Sequence, residues 1–366
     1  MTWDAKLLKE IIDNEKVKEQ ASEVIDRVTD LKTEREESEK HYFKVILENV
    51  TEPKLLDRKN IEAYLSMTAP VPYSTAFSLK TKIYEELKKE NLPIDEYNIF
   101  INGDQIFKAY TKTIYREVKG KKQPVGEIFD IQFLKEYTSE GNLLFWGWYG
   151  LSKFEKQLAM INIARGIRLR KDNIQIGSDY TLVKFFREQR GNYYFFGEVH
   201  AFNRDLIPNA RRDYFKDNET CQLFEKKLRE IFHRELHKLY YDASKIKIAN
   251  RDVQKLVELE KEKKEKEEKG FTDKEDKEKF LEKGKEIKQK AIEAKKTLER
   301  VEESLDSTSP TAKIFKRIVK TKEVAPETIK IDEEDQKPPY RTDKLSKLPE
   351  FHIYIIFTLF VYTRKE

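Results

Sequence analysis

Only one cysteine, Cys221, stands in the chain. It excludes an internal disulfide and a cysteine-rich zinc site, and it fits a reducing, cytoplasmic compartment. An excess of one charge sign is missing too. Lys and Arg number 72 against 67 Asp and Glu, in 366 residues of which 38% are charged. The net +5 is a small difference between two large populations and does not by itself argue for nucleic acid. Long hydrophobic runs are also absent. The longest, Phe351 to Tyr362, stops well short of the roughly 20 residues a spanning helix needs, so no membrane partner is expected. The opening MTWDAKLLKE carries charge at once and has no apolar stretch of the kind a secretory signal uses.

Nucleotide and metal signatures are missing as well. The chain has no GxxxxGK[ST], no GxGxxG, no HExxH and no paired-cysteine spacing. His233 and His237 form the sole i, i+4 histidine pair, and without a third ligand they read as surface or packing residues. No Ser/His/Asp set can be chosen from order alone. These absences describe a binding or force-transmitting part rather than a complete enzyme.

What is present starts with a helical pattern over residues 4 to 38. There Val17, Ala21, Val24, Val28 and Leu31 make a heptad-like seam. HYFKVILENV, from His41, then reads as a strand. LLDRKNIEAYLSM reads as a short helix, and Pro70 and Pro72 keep APVPYSTAF irregular. A further helix is expected from Phe77 to Asn91. Between Tyr97 and Gly177 the chain reads as strands, with an Asn-Gly turn at Asn102 and Gly103. The Trp146 and Trp148 pair suits a half-buried strand face. In ARGIRLRKDNIQIG, Arg168 and Arg170 alternate with apolar neighbours in a hairpin turning at Lys171 to Asn173. They read as a solvated face, the alternative being the wall of an anion channel. Asp179 to Glu188 is a short helix candidate, and Glu219 to Tyr241 has core-facing residues at helical spacing.

Past Asn250 the composition shifts. EKEKKEKEEKG is nearly pure charge and is not expected to bury a core. Thr272 to Glu275 has the form of a capping box. Ile287, Ala291, Ala294, Leu298, Val301 and Leu305 then form a coiled-coil seam that suits a homodimer. Residues 320 to 349 read as a linker or disordered tail. FHIYIIFTLFVYTRKE is an apolar end, expected either to dock as a strand on another chain or to come from a shifted reading frame.

The candidate site is GEVHAFNRDLIPNARRDYF, Gly197 to Phe215. A strand runs into a loop carrying Asn209, Arg211, Arg212 and Asp213. Arg keeps its charge at any working pH and offers a rigid fork of donors, so such a loop suits an anion. The plainer reading is two exposed arginines that serve solubility.

Three ordered stretches, RGIRLRKDNIQIG, FFREQRGNYYFFGEVH and LIPNARRDYF, resemble the middle region of ATPases of the gyrase, heat-shock-chaperone, histidine-kinase and MutL superfamily. The nearest group is the HtpG-like relatives of the ninety-kilodalton heat-shock chaperones. YFKVILENV, YLSMTAPVPY and EYNIFING are similar to that group as well, and the likeness runs from about residue 15 to 245.

The resemblance implies an α+β fold: a transducer-type mixed sheet with packed helices, then a helical or coiled-coil arm and a disordered tail. The expected divisions are 1–40 (N-terminal helix), 41–245 (transducer-like, with a possible split near 95), 246–306 (arm) and 307–366 (linker and tail). ATP and Mg are implied cofactors, bound mainly by an N-terminal Bergerat-type domain. That domain's Asn-bearing helix, DxGxG segment and Gly-rich lid do not occur here. A fragment, or a partner subunit supplying that domain, is therefore expected, and ATP turnover is expected only in combination with it.

By the resemblance, Arg212 contacts the γ-phosphate, Arg211 shares or replaces that task at a position where the family has Ser, and Asn209 matches the family Asn. Client proteins are the implied substrates. The alternatives are a DNA-transaction transducer of the MutL or gyrase kind, an anti-phage defence ATPase, or a non-catalytic scaffold. A continuous basic face would favour DNA.

Overall fold

The computed structural model describes residues 1–14, 20–35 and 44–319. The chain divides into two compact units, Met1–Pro53 and a second that begins at Lys54.

In the first unit, β1 (Thr2–Trp3) precedes α1 (Ala5–Asp13), and α2 (Ala21–Val28) precedes β2 (Thr29–Asp30). The two strands pair antiparallel. The single helix expected over 4–38 is therefore replaced by two short ones. Each has its own start signal: Asp4 accepts hydrogen bonds from the amides of Lys6 and Leu7, and Gln20 with Glu23 forms a capping box. The chain turns extended at Thr29, a β-branched residue that pairs with Trp3. Val17 lies outside the described residues, and Leu31 is exposed. Residues 44–50 of the expected strand HYFKVILENV form none. Val45, Ile46 and Leu47 are exposed, and no ladder partner is present among the described residues.

The second unit begins with α3 (Arg58–Thr68) and α4 (Lys80–Lys89). Two hairpins follow, β3 (Phe100–Ile101) with β4 (Asp104–Gln105) and β5 (Thr113–Val118) with β6 (Lys121–Glu127). Asn102 and Gly103 both take positive φ, as a two-residue hairpin turn requires.

The main sheet comprises β7 (Asp130–Tyr137), β8 (Leu143–Leu151), β9 (Gly166–Lys171), β10 (Ile174–Ile176) and β11 (Phe196–Ala201). Its order is β10-β9-β11-β8-β7. β9 and β11 run parallel and all other pairs antiparallel, so the sheet is mixed. Only a 3-10 turn, Val183–Phe185, appears in the helix candidate 179–188.

After the sheet, α5 (Glu219–Ile231) passes through a π-helical turn, Phe232–Leu236, into α6 (His237–Lys269). Gly270 ends α6 at φ +77°, and α7 (Lys274–Ser304) packs against α6. The N-cap of α7 is Asp273, one residue beyond the Thr272 start read from the sequence, and it accepts a bond from the Asp276 amide. The segment EKEKKEKEEKG contributes no hydrophobic side chain to a core, as expected, but its flanks do: Leu256 and Leu259 on α6, Phe271 after it, and Phe280 and Ala291 on α7 form a small cluster. Charges occupy most of the remaining helix surface. The expected seam is used within the chain, where Ala294 and Leu298 join the main core and Val301 and Leu305 pack on it. Part of the expected linker is α8 (Pro310–Ile318), capped by Ser309, with Ala312, Ile314, Phe315 and Ile318 buried. The tail readings for 320–366 lie outside the described residues.

The fold is α+β, and side-chain alternation gives the main sheet two covered faces. Phe145, Ile167, Leu169, Val199 and Ala201 face the core shared with α5 to α8. Trp146, Trp148 and Phe196 face a second core formed with Tyr73, Phe77, Ile83 and Tyr110 from the segment that carries α4. Both tryptophans are fully buried, deeper than a half-buried face allows.

Candidate functional site

The Asn209–Asp213 turn hangs from a short bridge between Pro208 and Phe215, just past β11. The Asn209 amide donates to the Tyr214 carbonyl at 2.8 Å, and the Lys216 amide donates to the Ile207 carbonyl at 2.8 Å. Inside the turn, the Arg212 amide donates to the Asn209 carbonyl at 3.0 Å, and Asn209 Nδ2 donates to Asp213 Oδ1 at 2.6 Å. From outside, the Gly177 amide donates to the Arg212 carbonyl at 2.8 Å. Gly177 has φ +66°, and a Cβ there would lie 2.1 Å from Thr181 Oγ1 and 2.6 Å from the Asp213 carbonyl. The position suits glycine both for its backbone and for this close approach. Phe215 anchors the turn in the main core.

Arg212 sits at φ +53°, in the left-handed region that non-glycine residues rarely adopt. The surrounding bonds hold it there, at a cost on the order of 1–2 kcal/mol. Arg211 and Arg212 are both exposed, and neither has an ion-pair partner among the described residues. Asp213 is also exposed but is engaged by Asn209. The three sequence candidates thus fall on one braced turn: Asn209 shapes it, and Arg211 and Arg212 project cations from it.

A second constellation departs from the sequence reading. Arg168 and Arg170 alternate as expected, but neither is solvated: Arg170 is fully buried and Arg168 nearly so. The reason is tertiary, because the segment carrying α4 covers this face of the sheet. Glu198 on β11 receives the charge. Arg170 Nε donates to Glu198 Oε1 at 2.6 Å, and Lys108 Nζ to Oε2 at 3.0 Å. The Tyr73 hydroxyl donates to Oε2 at 2.6 Å and Tyr110 to Oε1 at 3.1 Å, while His200 Nε2 stands 2.9 Å from Oε2.

The rest of Arg170 is satisfied by the carbonyls of Asn173 and Met67, at 2.8 and 2.7 Å. Asn173 accepts from Lys108 at 2.8 Å and donates to the Asp95 carbonyl at 2.7 Å. Burial alone would raise the Glu198 pKa, but the Arg170 and Lys108 charges and the His200 contact hold it well below the carboxylate range. Burial lowers His200 to about 4, so it is neutral at pH 7. Burial and the Arg170 charge bring Lys108 down to about 8.

Each guanidinium nitrogen of Arg170 and the Lys108 ammonium are bonded to protein atoms, and the cluster is buried, so it staples the covering segment to the sheet. A signal for it exists in the sequence. RLR in one strand and EVH in the next place opposite charges at the same period of two. Pairing needs the parallel register, which sets Glu198 beside Arg168 and His200 beside Arg170.

His233 is exposed, and His237 Nδ1 lies 2.6 Å from the Tyr240 hydroxyl. Among the described residues, no group of three His, Cys, Asp or Glu side chains is placed to hold a metal, and no helix is long and apolar enough to cross a membrane. No protein-family model matches the chain, and no curated protein is similar to it in sequence.

Proposed function

We propose that this chain is a transducer module of a heat-shock-chaperone-like ATPase that acts in the cytoplasm. Its Asn209–Asp213 turn meets a terminal phosphate held by a separate nucleotide-binding domain, either in a partner subunit or elsewhere in a longer chain. The observation that supports this reading is the turn itself: two guanidinium groups without ion-pair partners among the described residues, on a backbone braced from Tyr214 and from Gly177, with Arg212 held in a strained conformation. Cations carried on a braced backbone need less reorganisation when phosphoryl charge develops beside them.

ATP with Mg, bound mainly by the other domain, supplies the phosphoryl chemistry. In this chain Arg212 and Arg211 donate to phosphate oxygens and Asn209 keeps the turn in shape. The turn is bonded to Gly177, next to β10, and its Phe215 sits in the core under α5. Movement of the turn is therefore passed to the sheet and on to the α6–α7 hairpin, where a client protein is engaged.

The test is ATP turnover by the chain alone and after addition of a Bergerat-type domain. Turnover only in the mixture, lost in Arg212→Ala and reduced in Arg211→Ala, is the expected result. Silence in both samples, or indifference to both substitutions, overturns the reading.

A further inference from the structure

Balanced overall charge conceals a local separation of charge. Within the second unit, a cavity of about 570 Å³ opens between the β5–β6 ribbon, the 152–157 segment and α8. A second, more open space of about 500 Å³ adjoins it through Phe129 and Arg317, which line both. The walls of the first space carry Arg116, Lys153, Lys156 and Arg317, and those of the second add Lys82, Lys313 and Lys316. The carboxylates present are Glu127, Glu155 and Asp130. Asp130 is bound by Lys82 and Lys313, and Glu127 lies 3.5 Å from Arg317. Arg116, Lys153, Lys156 and Lys316 have no carboxylate partner among the described residues. The ribbon carries the charge onward, because pairing of Val118 with Lys121 puts Lys121 on the same face as Arg116.

The walls are fixed in place. Asn162 bonds the Tyr115 amide and carbonyl, each at 2.9 Å, which holds the ribbon. Phe154 is buried at φ +48°, and its carbonyl accepts from Lys247. That strained residue anchors the segment from which Lys153 and Lys156 project. On the floor, the Arg317 guanidinium lies over the Phe129 ring, 5.2 Å from its centroid.

We propose that this groove binds the backbone of a single-stranded nucleic acid. Cations are spread along an open trough, as a chain of phosphates requires, rather than gathered at one point as for a single phosphate. Arginine forks match phosphate oxygens, and the flat Phe129–Arg317 pair gives a base a surface to stack on. An acidic peptide would use the cations but not the stacking surface.

The test uses the full chain and a fluorescent oligodeoxythymidylate of about 20 nucleotides, long enough for one site of this kind. Binding is read by anisotropy across a salt series. The triple variant Lys153→Glu, Lys156→Glu, Lys316→Glu is expected to weaken binding at least tenfold. It should also reduce the log–log salt slope by about 2, at roughly 0.7 for each phosphate no longer neutralised. A charge-matched control on the helical hairpin, Lys261→Glu, Lys269→Glu, Lys296→Glu, is expected to stay within about twofold, because these exposed lysines do not line the groove. Alanine at the same three groove positions replaces the reversals if circular dichroism shows loss of fold. Equal losses in both sets, no binding by the parent chain, or equal binding of polyglutamate or of anionic phosphatidylserine vesicles overturns the proposal.

Discussion

Arg170 and Arg212 are the same residue type in neighbouring parts of one unit, and they do opposite things. Arg170 lies on β9 with no exposed surface, and its three guanidinium nitrogens are bonded to Glu198, Asn173 and Met67. Arg212 lies on an exposed turn with a strained backbone and no ion-pair partner among the described residues. Charge buried with a bond on each guanidinium nitrogen specifies how one segment sits on the sheet. Charge held out on a braced turn is kept available for another molecule. Residue type does not separate these roles; the partners do.

The sharpest way to break the comparison is to remove the acceptor. Glu198→Ala strands Arg170 and Lys108 in a dry interior. It is expected to destabilise the unit by about 3–5 kcal/mol, measured by chemical denaturation. A loss below about 1 kcal/mol would mean that water reaches the cluster.

Acid offers the next test. His200 has its pKa lowered to about 4 in the folded chain against an ordinary value near 6.5, so between those values the unfolded state binds the extra proton. Stability is expected to fall as pH drops through that window, by up to about 3 kcal/mol, with the loss complete near pH 4. Glu198 is held well below the carboxylate range, and its contribution should survive to more acid pH still. A flat profile between pH 6.5 and 4 in urea unfolding would remove His200 from the cluster's energetics.

The turn gives smaller effects. Gly177→Ala forces a Cβ against Thr181 and the Asp213 carbonyl at a positive φ, and about 2 kcal/mol of destabilisation is expected. The same change should impair ATP turnover with the added domain more than an equally destabilising core substitution does.

Arg212→Gly is the mildest. It removes the left-handed strain, so stability is expected to be unchanged or to rise by up to about 1 kcal/mol, while turnover is lost. A variant that gains stability and keeps turnover would show that the strain serves the fold rather than the phosphate.

Legibility follows the range of the interaction. The turns at Asn102–Gly103 and Asp172–Asn173, the helix of LLDRKNIEAYLSM and the loop after β11 are readable because local backbone chemistry decides them. The single helix expected over 4–38 fails because a heptad-like pattern does not reveal two separate caps. The helical arm reads as a partner-seeking seam because periodicity marks an apolar stripe without saying what covers it. Here α6, α7 and the main core cover it. The Asn209–Asp213 turn is readable as a loop with two arginines, but its bracing by Gly177, more than thirty positions earlier in the chain, is not.

By itself the sequence determined the alternation of Arg168 and Arg170 along their strand, the loop that carries Arg211 and Arg212, and the amphipathic stripes of the last helices. Those follow from backbone periods and local turn preferences, which act over a few residues. Only the tertiary structure decided which arginines are buried, and it gathered Arg116, Lys153, Lys156 and Lys316 around one groove in a chain of nearly balanced charge. Electrostatic partners are set by distance in space, and the strand register and the packing of α8 bring together groups that lie far apart along the chain.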